Sequence, residues 1–317
     1  MTDLIARKIS EKAGFPDLVS LLGEQLNGSE LSSLLLEVYE QRAARTAAGQ
    51  LLQQYRNNPL VQPADTDMTG MLEKELEVLR YLQAQQYMPL ELSPVALFGS
   101  CSAVGTVSQK KIISGIRNTE VMADATNALA LHIADQRQHR SSENPEALLR
   151  YCTVHRHIRT MQMPVKGYTP HFKIACMVAG GKDTGSFSFE RRSLKEQLLH
   201  IYHLLKNVFG VPAVLFKLQP RAGYKAGDAL ITALMDTLLA GLPFDVQLDI
   251  HSKANNYYKG VQFKALIQAG DREIDIADGG FTDWTQQLLG NQKERCLISG
   301  IGLSLLYKLY AAKEEPT

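Results

Sequence analysis

The chain reads as an α+β protein in which a mostly antiparallel sheet is flanked by helices and preceded by a helical extension. The opening stretch carries apolar residues at three- and four-residue spacing and few strand signals. From Val95 onward, short runs rich in Val, Ile, Phe and Tyr follow one another across turn-rich connections. The helices between them arrive in blocks instead of alternating strictly with strands, which favours antiparallel over parallel pairing.

Taken in order, Ser29 to Leu36 opens a helix that the spacing carries through Val38, Tyr39 and Ala43 toward Leu51, Leu52 and Tyr55. Asn57-Asn58-Pro59 breaks it and Pro63-Ala64-Asp65 forms a linker. Residues 1–65 are therefore expected to form a helical extension, too short to bury much core alone, and residues 66–317 the main domain. A second helix begins near Thr69, with Met71, Leu72, Leu76, Leu79 and Leu82 expected on one face. It leads into an extended segment ending at Pro94. Strands are expected over Val95–Phe98, Lys111–Ile113, Thr119–Met122, Leu148–Ile158 and Phe172–Val178, with a helix over Thr126–Gln136 and a flexible connector over 180–185. Helices Leu194–Val208 and Ala226–Leu239 enclose strand Val214–Leu218. Strands Val246–Ile250, Tyr257–Ile267 and Glu273–Ile276 continue the sheet.

The chain has 317 residues, 45% of them hydrophobic and 21% charged, with a net charge of +1. That balance supplies no general attraction to nucleic acid or to a membrane surface. No apolar run approaches the roughly 18 residues of a membrane span, and Met1 to Lys8 has no signal-peptide character, so the cytoplasm is the expected compartment. The four cysteines stand far apart without a CxxC pair. Buried thiols are expected, and neither a disulfide framework nor a metal site is.

Several segments carry chemistry-bearing residues. Val121-Met122-Ala123-Asp124-Ala125-Thr126 places a carboxylate and a hydroxyl at the start of a helical run. They can cap the helix or grip a ligand ammonium, and both readings stand. His155 to Phe172 is a basic hairpin containing Arg156, His157, Arg159, Lys166 and His171, the composition of a solvated face or of an anion site. Lys253-Ala254-Asn255-Asn256-Tyr257-Tyr258-Lys259-Gly260 precedes Asp278-Gly279-Gly280-Phe281 and Ser299-Gly300-Ile301-Gly302. The glycine pair is expected to form a turn that lets backbone approach a ligand. Strand alternation would point only one of Tyr257 and Tyr258 inward. Phe98 to Thr106 is rich in small residues but lacks the Gly-Lys-Ser/Thr ending of a P-loop, so it is expected to be a tight bend or a pocket floor.

In order and spacing these segments resemble the catalytic domain of class II aminoacyl-tRNA synthetases. The nearest forms are histidyl-tRNA synthetase and the regulatory subunit of ATP phosphoribosyltransferase. The resemblance spans roughly residues 70–310. It implies a class II synthetase-like fold and a homodimer through the helix and extended segment Met71–Pro94. It also implies a ligand site built from Asp124, Thr126, Tyr257, Tyr258, Gly279 and Gly280. If the chain is an enzyme, Arg159 and Lys253 would be its catalytic cations. Arg159, Phe172 and Tyr307 would meet a nucleotide.

The departures matter as much. Where the family has ATP-binding arginines, this chain has Lys253, Phe281 and Tyr307, and its motif 2 has Gln162, Tyr168 and Pro170. Charge-assisted phosphate contacts are worth roughly 1.5–3 kcal/mol each, so their loss should cripple adenylation. The expectation is a paralogue that binds an amino acid or related small metabolite without charging tRNA, in a regulatory or partner-dependent role. With the chain ending soon after Tyr310, tRNA is not expected as a partner, whereas a protein partner is possible. The alternative is a divergent ATP-dependent ligase that activates a carboxylate as an adenylate for a non-tRNA acceptor; ATP and Mg belong only to that reading. A third reading is an assembly module.

Overall fold

The computed structural model describes residues 2–139, 147–160, 169–239, 241–252 and 255–311. Helices α1 (Thr2–Ala13), α2 (Leu18–Ser20), α3 (Gly28–Ala44) and α4 (Ala48–Asn57) come first. Asn27 caps α3: its Oδ1 accepts from the N–H groups of Ser29 and Glu30, while Glu30 reaches back to the N–H of Asn27 at 2.8 Å. The single helix expected from Ser29 to Tyr55 is broken at 45–47. There the Thr46 hydroxyl bonds back to Arg42 O, and the Gln50 side chain accepts from the Ala47 N–H to start α4. None of the described apolar side chains in these four helices is buried.

Helix α5 (Met68–Ala84) is started by Asp67, whose Oδ1 accepts from the N–H groups of Thr69 and Gly70. It buries Met71, Val78 and Leu82. Leu72 and Leu76, expected on the same face, are 47% and 46% exposed, because the core contacts follow a stripe that runs one position to the side of them. Lys173 pairs with Glu75 and ties α5 to the sheet.

Among the described residues the sheet has eight strands: β1 (Met88–Pro89), β4 (Leu149–Ile158), β5 (His171–Lys182), β10 (Glu294–Ile301), β9 (Arg272–Thr282), β8 (Val261–Ala269), β6 (Val214–Pro220) and β7 (Val246–Leu248), in that spatial order. All pairs are antiparallel except the outer two, β1 with β4 and β6 with β7. A separate pair, β2 (Val95–Leu97) and β3 (Thr119–Val121), stands beside it. The expected strand at Lys111–Ile113 is absent: Gln109–Lys111 forms a short helical turn, and Ile113 only accepts a bond from Val121.

One face of the sheet is closed by α5, α7 (Ser188–His203), α8 (Gly227–Leu239) and α10 (Leu303–Tyr310). It contributes Met177, Phe216, Phe263, Phe281 and Leu297 to the larger core. The other face is covered partly, by α6 (Ala125–His139) and α9 (Trp284–Leu289), around Leu129, Ile133, Cys176, Val178, Trp284 and Ile298. What α6 leaves uncovered is where the cavity lies. All four cysteines are buried and unpaired, and among the described residues no helix is long and apolar enough to cross a membrane.

Gly279 and Gly280 do not form the expected turn. They lie within β9, between β8 and β10, paired with Phe263 and Ser299 and with Gln262 and Ile298 respectively. A Cβ on Gly279 would stand 2.4 Å from Ile298 O and 2.5 Å from the Phe263 ring, and one on Gly280 would stand 2.7 Å from the Tyr258 ring. Glycine is needed because aromatic rings fill the side-chain positions, not because the chain reverses. Gly279→Ala is expected to destabilise the fold by ~1–3 kcal/mol in urea unfolding. Gly227→Ala, whose added Cβ meets nothing within 4 Å, should change stability by less than ~0.5 kcal/mol; equal effects would refute the packing account.

Candidate functional site

Alternation along the central strands decides which side chains reach the open face. Cys176 pairs with Gly300 and Gly300 with Asp278, so these positions share one side of the sheet. Gly300 keeps the floor low, since a Cβ there would press on Ile174 at 3.1 Å. The walls come from the N-terminus of α6, from the segment after β2, and from the loop before β8. Together they enclose a cavity of about 340 Å³ lined by Cys101, Lys111, Asp124, Thr126, His157, Arg159, Tyr257, Tyr258, Gln262 and Asp278, among others.

Asp124 immediately precedes α6. Its Oδ1 accepts from the Thr126 N–H at 2.9 Å and from the Thr126 hydroxyl at 2.6 Å, and its Oδ2 accepts from the Tyr257 hydroxyl. The two readings of this residue coincide, because the carboxylate both caps α6 and faces the cavity. Asp278 accepts from the Tyr258 hydroxyl at 2.9 Å. Two carboxylates therefore enter one cavity, each oriented by a tyrosine. Burial, reinforced by the nearby carboxylates, holds both phenols far above their usual range, so they remain donors. Burial also raises Asp278 to about 6.

Tyr257 and Tyr258 both reach the cavity because β8 starts later than expected, at Val261. The tyrosines lie in the preceding bend, where alternation does not apply. Asn255 Oδ1 accepts from both of their N–H groups, at 3.2 and 3.3 Å, and their rings meet edge to face at 4.8 Å. Tyr257 also packs edge-on against Trp284 at 5.3 Å. Asn255 in turn donates to Gln262 Oε1 at 2.8 Å. Arg221 donates to the same oxygen through Nε and Nη2, at 3.0 and 2.8 Å, and also to Gln219 and Ser252.

His157 is buried with its Nε2 accepting from the Ala125 N–H at 3.1 Å. Burial depresses it to about 4, so the ring is neutral and its proton sits on Nδ1. That N–H has no partner among the described residues. Arg159 is exposed at the rim near Lys111, and neither forms an ion pair among the described residues. The small-residue segment after β2 is a tight bend: Gly99 takes a φ of +86°, and buried Glu120 accepts from the N–H groups of Gly99 and Cys101. It brings Cys101 to the cavity as an inert thiol that burial raises to about 12.

Of the residues singled out from the sequence, Asp124, Thr126, Tyr257, Tyr258 and Arg159 meet at this cavity. Gly279 and Gly280 lie beneath it. Phe172 shares the open face with Ile174 and sits 6.5 Å from the His157 ring, beyond the lining. Tyr307 is elsewhere: it is buried in the larger core, with its hydroxyl donating to Asp67 at 2.9 Å, so it cannot stack on a base in this cavity. Phe281 is likewise core. Lys253, Gln162, Lys166 and Tyr168 lie outside the described residues. The basic hairpin is divided by its pleat. His157 and Arg159 line the cavity, Arg156 and His171 bond one another, and His171 Nε2 bonds Gln62 O, while Lys173 is committed to Glu75. Among the described residues no three His, Cys, Asp or Glu side chains form a metal-ligand set. Sequence reasoning missed Asp278, Gln262 and Arg221 as site residues, and placed His157 only within a basic hairpin that reads as a solvated face or an anion site. The one available signal was an aspartate standing in an otherwise apolar, glycine-containing strand.

No protein-family model and no curated protein matches the chain. Solved structures do. Histidyl-tRNA synthetase from S. aureus is 13% identical, with a TM-score of 0.60 over 80% of this chain and 70% of that one. An ATP phosphoribosyltransferase regulatory subunit/histidyl-tRNA synthetase from Bacillus halodurans is 11% identical, with a TM-score of 0.62 over 81% and 83%. A histidine–tRNA ligase subunit from Alicyclobacillus acidocaldarius is 12% identical, with a TM-score of 0.57 over 78% and 95%. At such identities the likeness speaks for architecture alone, and that architecture is the class II synthetase-like fold.

Proposed function

We propose that this chain is a synthetase-like paralogue that binds an amino acid or a related small metabolite in the cavity, without charging tRNA, in a regulatory or partner-dependent role. The observation that carries the reading is Asp124, a carboxylate fixed at the cavity wall by Thr126 and Tyr257, which is what an α-ammonium group requires. The cavity's volume lies at the lower end of the roughly 300–1,000 Å³ of small-molecule sites. Phe281 and Tyr307, which stand where the resemblance calls for ATP-binding arginines, are committed to the core. Developing charge on phosphate is stabilised by preorganised cations, and aromatic side chains do not supply that. The expected setting is the cytoplasm, in keeping with four unpaired buried thiols.

A second reading, an adenylate-forming ligase for a non-tRNA acceptor using ATP and Mg, draws on Arg159, exposed at the rim without an ion pair among the described residues. One experiment separates the two. Amino-acid-dependent pyrophosphate exchange and tRNA charging should both be undetectable with the full chain, while calorimetry detects an amino acid whose binding weakens about tenfold or more in Asp124→Ala. Exchange abolished by Arg159→Ala would establish the ligase reading instead.

The proposal extends to a homodimer. Met68, Leu72 and Leu76 form an exposed apolar stripe at four-residue spacing on α5, and Met88, Leu97 and Phe98 nearby in sequence are also exposed. The α5 stripe is the surface assigned here to the dimer contact. Light scattering is expected to give a dimer that Leu72→Asp with Leu76→Asp converts to a folded monomer. A dimer untouched by that double substitution would remove this surface from the proposal.

A further inference from the structure

The amino-acid reading accounts for Asp124 but leaves a second carboxylate, Asp278, on the cavity floor. Three charged groups surround Asp278. Lys264, its cross-strand neighbour, is paired with Asp275 on the same hairpin, and Asp124 stands across the cavity. No cation forms an ion pair with Asp278 or Asp124 among the described residues, and the only side-chain bond Asp278 receives there is from Tyr258. An ionised carboxylate in so enclosed a place, with another carboxylate in the same cavity, is unfavourable until a cation arrives. Burial raising Asp278 to about 6 agrees with this.

A second observation points independently to a ligand. The Nδ1–H of His157, on a ring that is 1% exposed and lines the cavity, has no partner among the described residues. A buried donor left without an acceptor is costly. With Arg159 and Lys111 at the rim, it offers an anionic or carbonyl group a place near Asp124. A zwitterion would then have its ammonium at Asp124 and its carboxylate toward His157 and the rim. Asp278 would remain for whatever the side chain carries.

Resting on the amino-acid reading above, we propose that Asp278, oriented by Tyr258, is a specificity-determining subsite for a second cationic centre, so that the cavity takes an α-amino acid with a basic side chain such as lysine, ornithine or arginine.

The test is calorimetric titration of the full chain with L-lysine, L-ornithine, L-arginine, L-histidine and L-norleucine; norleucine has the lysine side chain without its amine. At pH 7.5 the best basic amino acid is expected to bind about tenfold or more tighter than norleucine. Asp278→Asn should erase that preference, whereas Asp124→Asn should weaken all ligands together. The preference should also fade as pH falls through about 6, because protonation removes the charge that the ligand answers. Folding of Asp278→Asn is checked by thermal unfolding. A carboxyl raised above its unfolded value stabilises least where it is ionised, so the variant should be no less stable than the parent at pH 8, with any gain vanishing near pH 4. Norleucine or histidine binding as tightly as the best basic amino acid would overturn the proposal, as would an unchanged preference in Asp278→Asn. Amino acids that bind without regard to side-chain charge remove only this inference. If none binds at all, the amino-acid reading falls and takes this one with it.

Discussion

Arg221 anchors the polar network on which the cavity depends. Its guanidinium closes on Gln262 Oε1 from two directions and holds Gln219 and Ser252 as well. That fixes the Gln262 carbonyl oxygen, which then accepts from Asn255, whose own carbonyl oxygen takes the N–H groups of both tyrosines. Each link restricts the next, so an arginine outside the cavity lining governs where Tyr257 and Tyr258 point. Burial depresses its pKa, yet an arginine remains charged at any relevant pH. A planar fork with several donors serves here where the point charge of lysine would satisfy only one partner well.

That network solves a problem the sheet creates. Consecutive residues of a strand point to opposite faces, so two adjacent tyrosines in β8 could not both serve the open side. Holding them in a bend ahead of Val261 lets both rings enter the cavity, and β9 must then make room. Gly280 yields to the Tyr258 ring from the open face and Gly279 to the Phe263 ring from the closed one. The same strand supplies Asp278 as Tyr258's acceptor. The glycines, the bend and the carboxylate form one arrangement, in which a side chain added to β9 would displace a ring that orients a charge.

How much of this was legible in the sequence follows from the range of each interaction. Strands that mix β-branched and aromatic residues with charged ones, such as β4, show themselves by residue type over a short window. The order of the Asp124, Tyr257-Tyr258 and Gly279-Gly280 segments was enough to point to the fold and to part of the cavity. β10 was harder: its Cys296-Leu297-Ile298 run is buried on both sides of the sheet, so it shows no alternation to separate it from a buried helix. The bend at Tyr257 was invisible because it depends on Asn255 being clamped by Gln262, which is clamped by Arg221, 41 residues earlier. Tyr307 looked like a base-stacking residue by position. Its partner, Asp67, lies 240 residues away at the start of α5, and no local pattern records that bond. Lys253 sits where position alone suggests a phosphate contact, and it lies outside the described residues.

The balance of charge in this cavity differs from the chemistry that the sequence resemblance implies. Adenylate chemistry needs cations converging on phosphate. Here two of the positions that the resemblance assigns to such cations hold aromatic side chains packed into the larger core, where they contribute apolar burial of roughly 25 cal/mol per Å² and no charge. Over the same scaffold a carboxylate stands on the floor beside Gly280, and a neutral histidine presents a lone donor. The described lining groups are therefore acidic within and basic only at the exposed rim. Such a field favours positive charge in the interior and negative charge toward the mouth. The sheet and its helices hold these groups in place, and the charges on the open face decide what the cavity can hold.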